Sequence, residues 1–250
     1  MRASNAGPMV DSIEHLRNIE LDCASNSAEL HETRLEHLRN PENLSGFELR
    51  AKLHELQRLP AISDYDELRC EKTLQSLINT MQVPTLRLLA LSLYPPYERL
   101  DWLEGLETLP MDVAKEWKAS GENPQIWDTS FAEWGLFLTG RVHANAVPIG
   151  AGTDTPIGLS IPGYSLHTEL ELLVKAGLSP IEALEAATLS PAKYFDLQNE
   201  MGSIDIGNVA DLVLLKANPL ENISNSRTID QVISKGKVFD RTMLVKNNIN

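Results

Sequence analysis

The stretch Gly150-Ala151-Gly152-Thr153-Asp154-Thr155-Pro156 constrains this chain more than any other. It follows the apolar run Ala146-Val147-Pro148-Ile149, so a hydrophobic strand ends in small, turn-forming residues with one carboxylate at its tip. Glycine permits unusual backbone angles and close approach of a ligand. A carboxylate at the C-terminal end of a strand is where α/β enzymes place metal ligands and proton-transfer groups. Taken alone, Asp154 reads as a residue capping the following turn.

The bulk of the chain narrows the classes. Its 250 residues suffice for one large domain or two modest ones, and 42% hydrophobic residues suffice for a sizeable core. No apolar run approaches the ~20 residues that cross a bilayer, and the N-terminus has no secretory pattern as it stands. Membrane partners are therefore not expected, and a cytoplasmic location is. Thirty-five acidic residues against 22 basic ones give a net charge of -13, which disfavours nucleic acid. Cys23 and Cys70 lack metal-type spacing. They read as buried or reduced thiols, with a single disulfide left open.

Along the chain, Val10 to Leu16 reads as a strand end, and Ser27 to Arg39 as a helix closed by Pro41. Phe47 to Leu56 is a further helix. Asp64 to Met81 is a stronger one, capped by Ser63 or Asp64. Gln82 to Leu86 is extended, and residues 91–124 form an irregular insertion with a short helix, Met111 to Lys118. Thr129 to Asn145 is a helix leading into the glycine-rich motif. Ser165 to Ala176 follows it, ended by Gly177, and Ser179-Pro180-Ile181-Glu182 is a capping box. From Gly202 the period becomes two: 203–207, 210–215 and 231–234 read as strands, with Lys235-Gly236 turning into Lys237-Val238-Phe239. Strands alternating with helices argue for parallel α/β structure.

Many ordered matches then carry a resemblance. They include Val147 to Thr155, Pro162-Gly163, Leu166-His167-Thr168-Glu169-Leu170, Leu178 to Leu184, and Ala186-Ala187-Thr188. Ser190-Pro191-Ala192, Gly202-Ser203-Ile204, Ala210-Asp211-Leu212-Val213 and Asn218-Pro219-Leu220 continue the set, and Asp11-Ser12-Ile13-Glu14-His15 joins it near the start. The text resembles the amidohydrolase superfamily, in particular its imidazolonepropionase-like and prolidase-like members. Residues from about 40 to 145 match only weakly.

The resemblance implies a partial (β/α)8 barrel, about strands 6 to 8, over residues 1–200, and a small β-sandwich segment over 201–250. It implies hydrolysis of carbon–nitrogen bonds in a small amide, cyclic amide or dipeptide-like substrate. It places His15 on the sixth strand as a metal ligand, and Asp154 on the eighth as ligand and proton shuttle. A divalent metal lowers the pKa of bound water to roughly 7, and a neighbouring carboxylate can relay its proton to the leaving nitrogen. Zinc is the expected metal, with iron and manganese as alternatives. For His15 the plainer reading is a satisfied histidine at a strand end. His167, after the Pro162-Gly163 loop, is either near the substrate mouth or a surface or capping residue.

Other family ligands, a His-x-His pair among them, have no counterpart in this sequence. The expectation is therefore an N-terminally truncated amidohydrolase, not competent alone, of low stability or paired as an oligomer or with a complementing chain. The alternative is a non-catalytic remnant. His31, His37, His54 and His143 read as solvated or structural. Trp102, Trp117, Trp127 and Trp134 read as core and lid packing.

Overall fold

Three short stretches of extended chain lie side by side because each is flanked by helices long enough to return the chain to the same edge. Parallel strands need such crossovers. In the computed structural model, which describes residues 2–122 and 128–239, β1 is Ser12–Glu14 and β2 is Met81–Val83. They run parallel with Ser12 opposite Met81 and Glu14 opposite Val83. Ile149 adds a parallel bridge to Gln82, fixed by Gln82 N donating to Pro148 O (2.8 Å) and Gly150 N to Gln82 O (2.9 Å). These are the three extended segments expected from the sequence, now in order. Two of them are three-residue strands and the third is a single bridge. Among the described residues they do not close a barrel. The chain is a mixed α/β structure.

Helices Ile19–Cys23, Ser27–Arg39, Gly46–Ser63 and Glu67–Gln75 connect β1 to β2. Helix Gly46–Ser63 overruns the expected end at Leu56 and carries Pro60 within its last turn. Proline removes a donor and crowds the preceding turn. The helix continues because Ala61 is buried in a cluster with Leu21, Ala24 and Leu30. The next helix starts later than expected. Residues 64–66 pair with 23–25 instead, through Ser25 N to Asp64 O and Asp66 N to Cys23 O. Asp66, not Ser63 or Asp64, then caps it by accepting from Arg69 N at 2.9 Å. Cys23 and Cys70 are buried and bonded to each other, which settles the alternative left open.

Helices Leu86–Leu89, Leu100–Leu106, Met111–Glu122 and Ser130–Ala144 lead from β2 to the glycine-rich segment. The insertion is more ordered than its proline content suggested. Trp102 and Leu106 bury against Ile161, with Trp117 and Tyr164 packed around them, and Trp102 Nε1 donates to Leu159 O at 2.8 Å. Trp134 sits in the main core. Trp127 and residues 123–124 of the insertion lie outside the described residues. The main core joins Ile13, Ile19, Leu74, Leu86, Leu138, Val142, Ile149 and Leu173, so it lies between the parallel strands and the helices that follow each of them.

After Asp154 come helices Tyr164–Lys175, Pro180–Ala186 and Leu189–Tyr194. The Ser179–Glu182 capping box forms as read. The C-terminal unit is one antiparallel sheet, in the order β3 Leu212–Leu215, β4 Ile229–Ser234, β5 Lys237–Phe239. Lys235 and Gly236 both have positive φ (49° and 76°), as a two-residue hairpin with right-handed twist demands. The expected strand over 203–207 is absent, and Ile204 and Ile206 stand exposed. Alternation of polar and apolar residues marks a strand only where a partner takes up its backbone groups. The described sheet is a single layer rather than a sandwich. Residues 240–250 of the expected segment lie outside the described residues. No described helix is long and apolar enough to cross a membrane.

Candidate functional site

The two residues singled out by sequence meet. His15 follows β1, Asp154 follows the Ile149 bridge, and Nε2 of His15 lies 3.4 Å from Oδ2 of Asp154. Three residues just beyond the three parallel segments hold left-handed backbone: His15 (φ 60°), Thr85 (φ 54°) and Asp154 (φ 51°). Each such conformation costs on the order of 1–3 kcal/mol in a non-glycine residue and clusters at functional sites. The His15 turn is held by its own N–H donating to Val83 O at 2.8 Å.

The glycines of the motif act differently from the expectation. Neither Gly150 nor Gly152 has positive φ. A Cβ at Gly150 would lie 2.7 Å from Met81 Sδ, and one at Gly152 would lie 2.5 Å from Val83 Cγ1. They admit the neighbouring strand rather than a ligand, and by doing so let the 147–154 segment approach β2 closely enough to bring Asp154 to His15.

Burial, reinforced by the Arg17 charge, lowers the His15 pKa, and the attraction of Asp154 only partly offsets this. The ring is neutral at neutral pH. Nε2 faces the carboxylate, and the buried Nδ1 has no hydrogen-bond partner. Glu14 stands near enough to Asp154 to feel its charge. Burial chiefly, and Asp154 in addition, raise its pKa, while a hydrogen bond from Ser12 opposes them.

An imidazole and a carboxylate side by side are donors that divalent metals accept. A catalytic zinc, however, usually takes three protein ligands and a water. Among the described residues no group of three or more His, Cys, Asp and Glu side chains gathers to hold an ion. The donors present do not complete a metal site.

His167 is placed elsewhere. Its Nδ1 lies 2.9 Å from Ser226 Oγ, at the turn Ile223–Arg227 that seats the C-terminal sheet on helix Tyr164–Lys175. Beside it, Arg227 pairs with Glu171 (2.9 Å) and Asp101, and Arg99 also pairs with Glu171 (2.7 Å). Burial first, then Arg227, lower the His167 pKa. His167 belongs to this seam and makes no hydrogen bond or ion pair with His15 or Asp154.

Sequence reasoning missed Glu169. It is fully buried, and its carboxylate accepts from Leu86 N (3.0 Å) and Arg87 N (2.7 Å), so it holds the start of helix Leu86–Leu89 after β2. Arg87 in turn donates to Ile157 O at 2.7 Å. The loop after Asp154 is further closed by Thr155 and Ser160, whose hydroxyls are 2.7 Å apart. One signal was available: Leu166, Glu169, Leu170 and Leu173 share a helical stripe, and a carboxylate on an apolar stripe demands a partner.

Against this geometry the comparisons can be set. Residues 138–239 match the amidohydrolase family. That segment runs from within helix Ser130–Ala144 to the end of β5. It contains Asp154 and His167, and His15 lies outside it. Over 68 residues the chain is 37% identical to an imidazolonepropionase of Symbiobacterium thermophilum, covering 27% of this chain and 16% of that protein. Over 91 residues it is 31% identical to an adenine deaminase of Ligilactobacillus salivarius, covering 36% of this chain and 15% of that protein. A solved Xaa-Pro dipeptidase with bound methionine in its active site is similar at 23% identity and a TM-score of 0.47, over 73% of this chain and 42% of that one. The chain thus spans less than half the length of each.

Proposed function

We propose that this chain supplies the last strands of a (β/α)8 amidohydrolase barrel, β1, β2 and the Ile149 segment standing as strands six, seven and eight. On this reading its reaction is hydrolysis of a carbon–nitrogen bond in a small amide, cyclic amide or dipeptide-like substrate. The observation that carries the reading is the meeting of His15 and Asp154 at 3.4 Å, at corresponding ends of parallel segments far apart in sequence. Sites on such sheets form beyond the carboxyl ends of strands.

The roles follow from charge and reach. Asp154 accepts a proton from the attacking water and returns it to the departing nitrogen, so that amine rather than amide anion leaves. Neutral His15 stands with Nε2 beside that carboxylate and offers this nitrogen to the site. Two such donors do not hold zinc, iron or manganese unaided, so no step is routed through a metal. The remaining ligands of a metal enzyme would be contributed by a complementing polypeptide.

Metal titration of an extended form carrying the upstream barrel strands, with hydrolysis of N-acylated amino acids and dipeptides, tests this. The expected result is metal uptake and activity that both fall in Asp154→Asn, activity by roughly 10²–10⁴-fold. A second reading, a folded remnant without catalysis, is favoured by the lack of a third ligand among the described residues. A chain that stays folded, metal-free and inactive, alone and in an extended form carrying the upstream barrel strands, would establish it.

A further inference from the structure

The left-handed corner at Asp154 lies in exposed chain: residues 154–157 all face solvent, Ile157 at 56% exposure among them. A non-glycine residue keeps such backbone only where its surroundings over-determine it. At His15 the lock is the bond from its own N–H to Val83 O. At Asp154 the turn closes on itself, with Ile157 N donating to Asp154 O at 2.9 Å. A single backbone bond in exposed chain competes with water and holds little by itself.

The anchor comes from the segment beyond β2. Arg87 lies on helix Leu86–Leu89 and is buried. Its Nη2 donates to Ile157 O at 2.7 Å and reaches Gly158 O at 3.4 Å. The next carbonyl, that of Leu159, takes the Trp102 indole N–H. Successive carbonyl oxygens just after the turn are thus held by side chains from the chain that follows β2. The fit is close, because a Cβ at Gly158 would lie 2.8 Å from Arg87 Nη2. Burial pushes the Arg87 pKa down only to about 10, so the guanidinium stays charged at neutral pH. Its donors sit in a rigid planar fork, which suits it to neighbouring carbonyls.

Arg87 is itself fixed from behind. The fully buried Glu169 accepts from the N–H groups of Leu86 and Arg87, which follow the left-handed Thr85. N–H groups in the first turn of a helix have no partner inside it. One carboxylate therefore sets the start of the helix, the helix sets where Arg87 leaves the backbone, and the guanidinium sets the turn at Asp154.

We infer that Arg87 is a positioning residue for Asp154: by gripping the Ile157 and Gly158 carbonyls it keeps the turn, and with it the carboxylate, facing His15, and Glu169 holds Arg87 in place for this. Its meaning for catalysis rests on the hydrolytic reading. The grip itself needs neither metal nor turnover. Through Trp102 the insertion shares in it, so the loop beyond β2 and the loop beyond the Ile149 bridge are tied into one unit.

Amide hydrogen exchange of the 250-residue chain, read residue by residue by nuclear magnetic resonance, tests the grip. A hydrogen bond from a charged donor is worth roughly tenfold to a hundredfold in a local opening equilibrium. In Arg87→Met, which keeps the apolar stem, the Ile157 amide should exchange faster by that factor. The Gln82 amide, bonded to Pro148 O, should stay unchanged. Arg87→Lys keeps the charge but not the fork; it should give a smaller rise, and it serves if the methionine variant does not fold. An arginine that supports only the fold as a whole would speed both amides together. Unchanged Ile157 exchange in a folded variant, or an equal rise at Gln82, would overturn the inference. In an extended form carrying the upstream barrel strands, Arg87→Met should lower kcat by roughly tenfold or more and leave KM within about twofold. Local loss of protection without any hydrolysis would sustain the positioning and remove the catalytic reading. Hydrolysis with kcat untouched would sustain the catalytic reading and overturn the positioning.

Discussion

Replacing Glu169 by glutamine tests whether the buried anchor behind the β2 loop works as its geometry says. Burial pushes its pKa up to about 7 from an ordinary value of 4.5, against the lowering effect of hydrogen bonds from Arg87 N and Leu86 N. The folded carboxyl therefore keeps its proton up to about pH 7, while the unfolded chain releases it near 4.5. Between those values the native state binds more protons, so stability falls as pH rises. The contribution is fully present below about pH 4.5 and is lost through pH 7. At about 1.36 kcal/mol per pH unit of separation, the whole effect is about 3 kcal/mol. Glutamine cannot titrate. Urea denaturation of both proteins, followed by circular dichroism from pH 5 to pH 8, reads the difference directly. The stability of the natural chain minus that of Glu169→Gln should shrink by about 2–3 kcal/mol across this range. Two curves that run parallel would refute the assignment of a proton to Glu169.

His54 should show the opposite slope: its folded pKa is depressed, so its contribution is present above about pH 6.5 and is lost as pH falls toward 3. His54→Gln, which keeps an acceptor for Arg17, should flatten that acid limb in the same denaturation series. Gly152→Ala should cost about 1–3 kcal/mol because its Cβ would lie 2.5 Å from Val83 Cγ1. In a Val83→Ala background the same change should be nearly free, a coupling that a double-mutant cycle of denaturation midpoints would measure.

The legible part of this chain was local. The Ser179–Glu182 box, the Lys235-Gly236 turn and helix Ser27–Arg39 followed from caps, glycine conformations and apolar spacing, and the structure places them within a residue or two. Elements that depend on distant partners were misplaced. Helix Gly46–Ser63 runs past its proline because Ala61 packs against Leu21 and Leu30, and the 203–207 segment lacks a strand to pair with.

The glycine-rich corner divides in the same way. Its residues alone determined a strand ending in a carboxylate, and with the text that follows it they determined the amidohydrolase resemblance later found over residues 138–239. The resemblance also offered His15 as the company of Asp154, and the tertiary structure fixed the geometry. It decided that His15 faces it, that His167 serves a different seam, and that Gly150 and Gly152 exist to let β2 approach. It also brought Arg17 and Arg58 from two separate segments to one cleft. Caps and turns are settled by neighbours within a few bonds, whereas a site is made by side chains whose separation depends on how whole helices pack. Spacing along the chain carries no record of that packing.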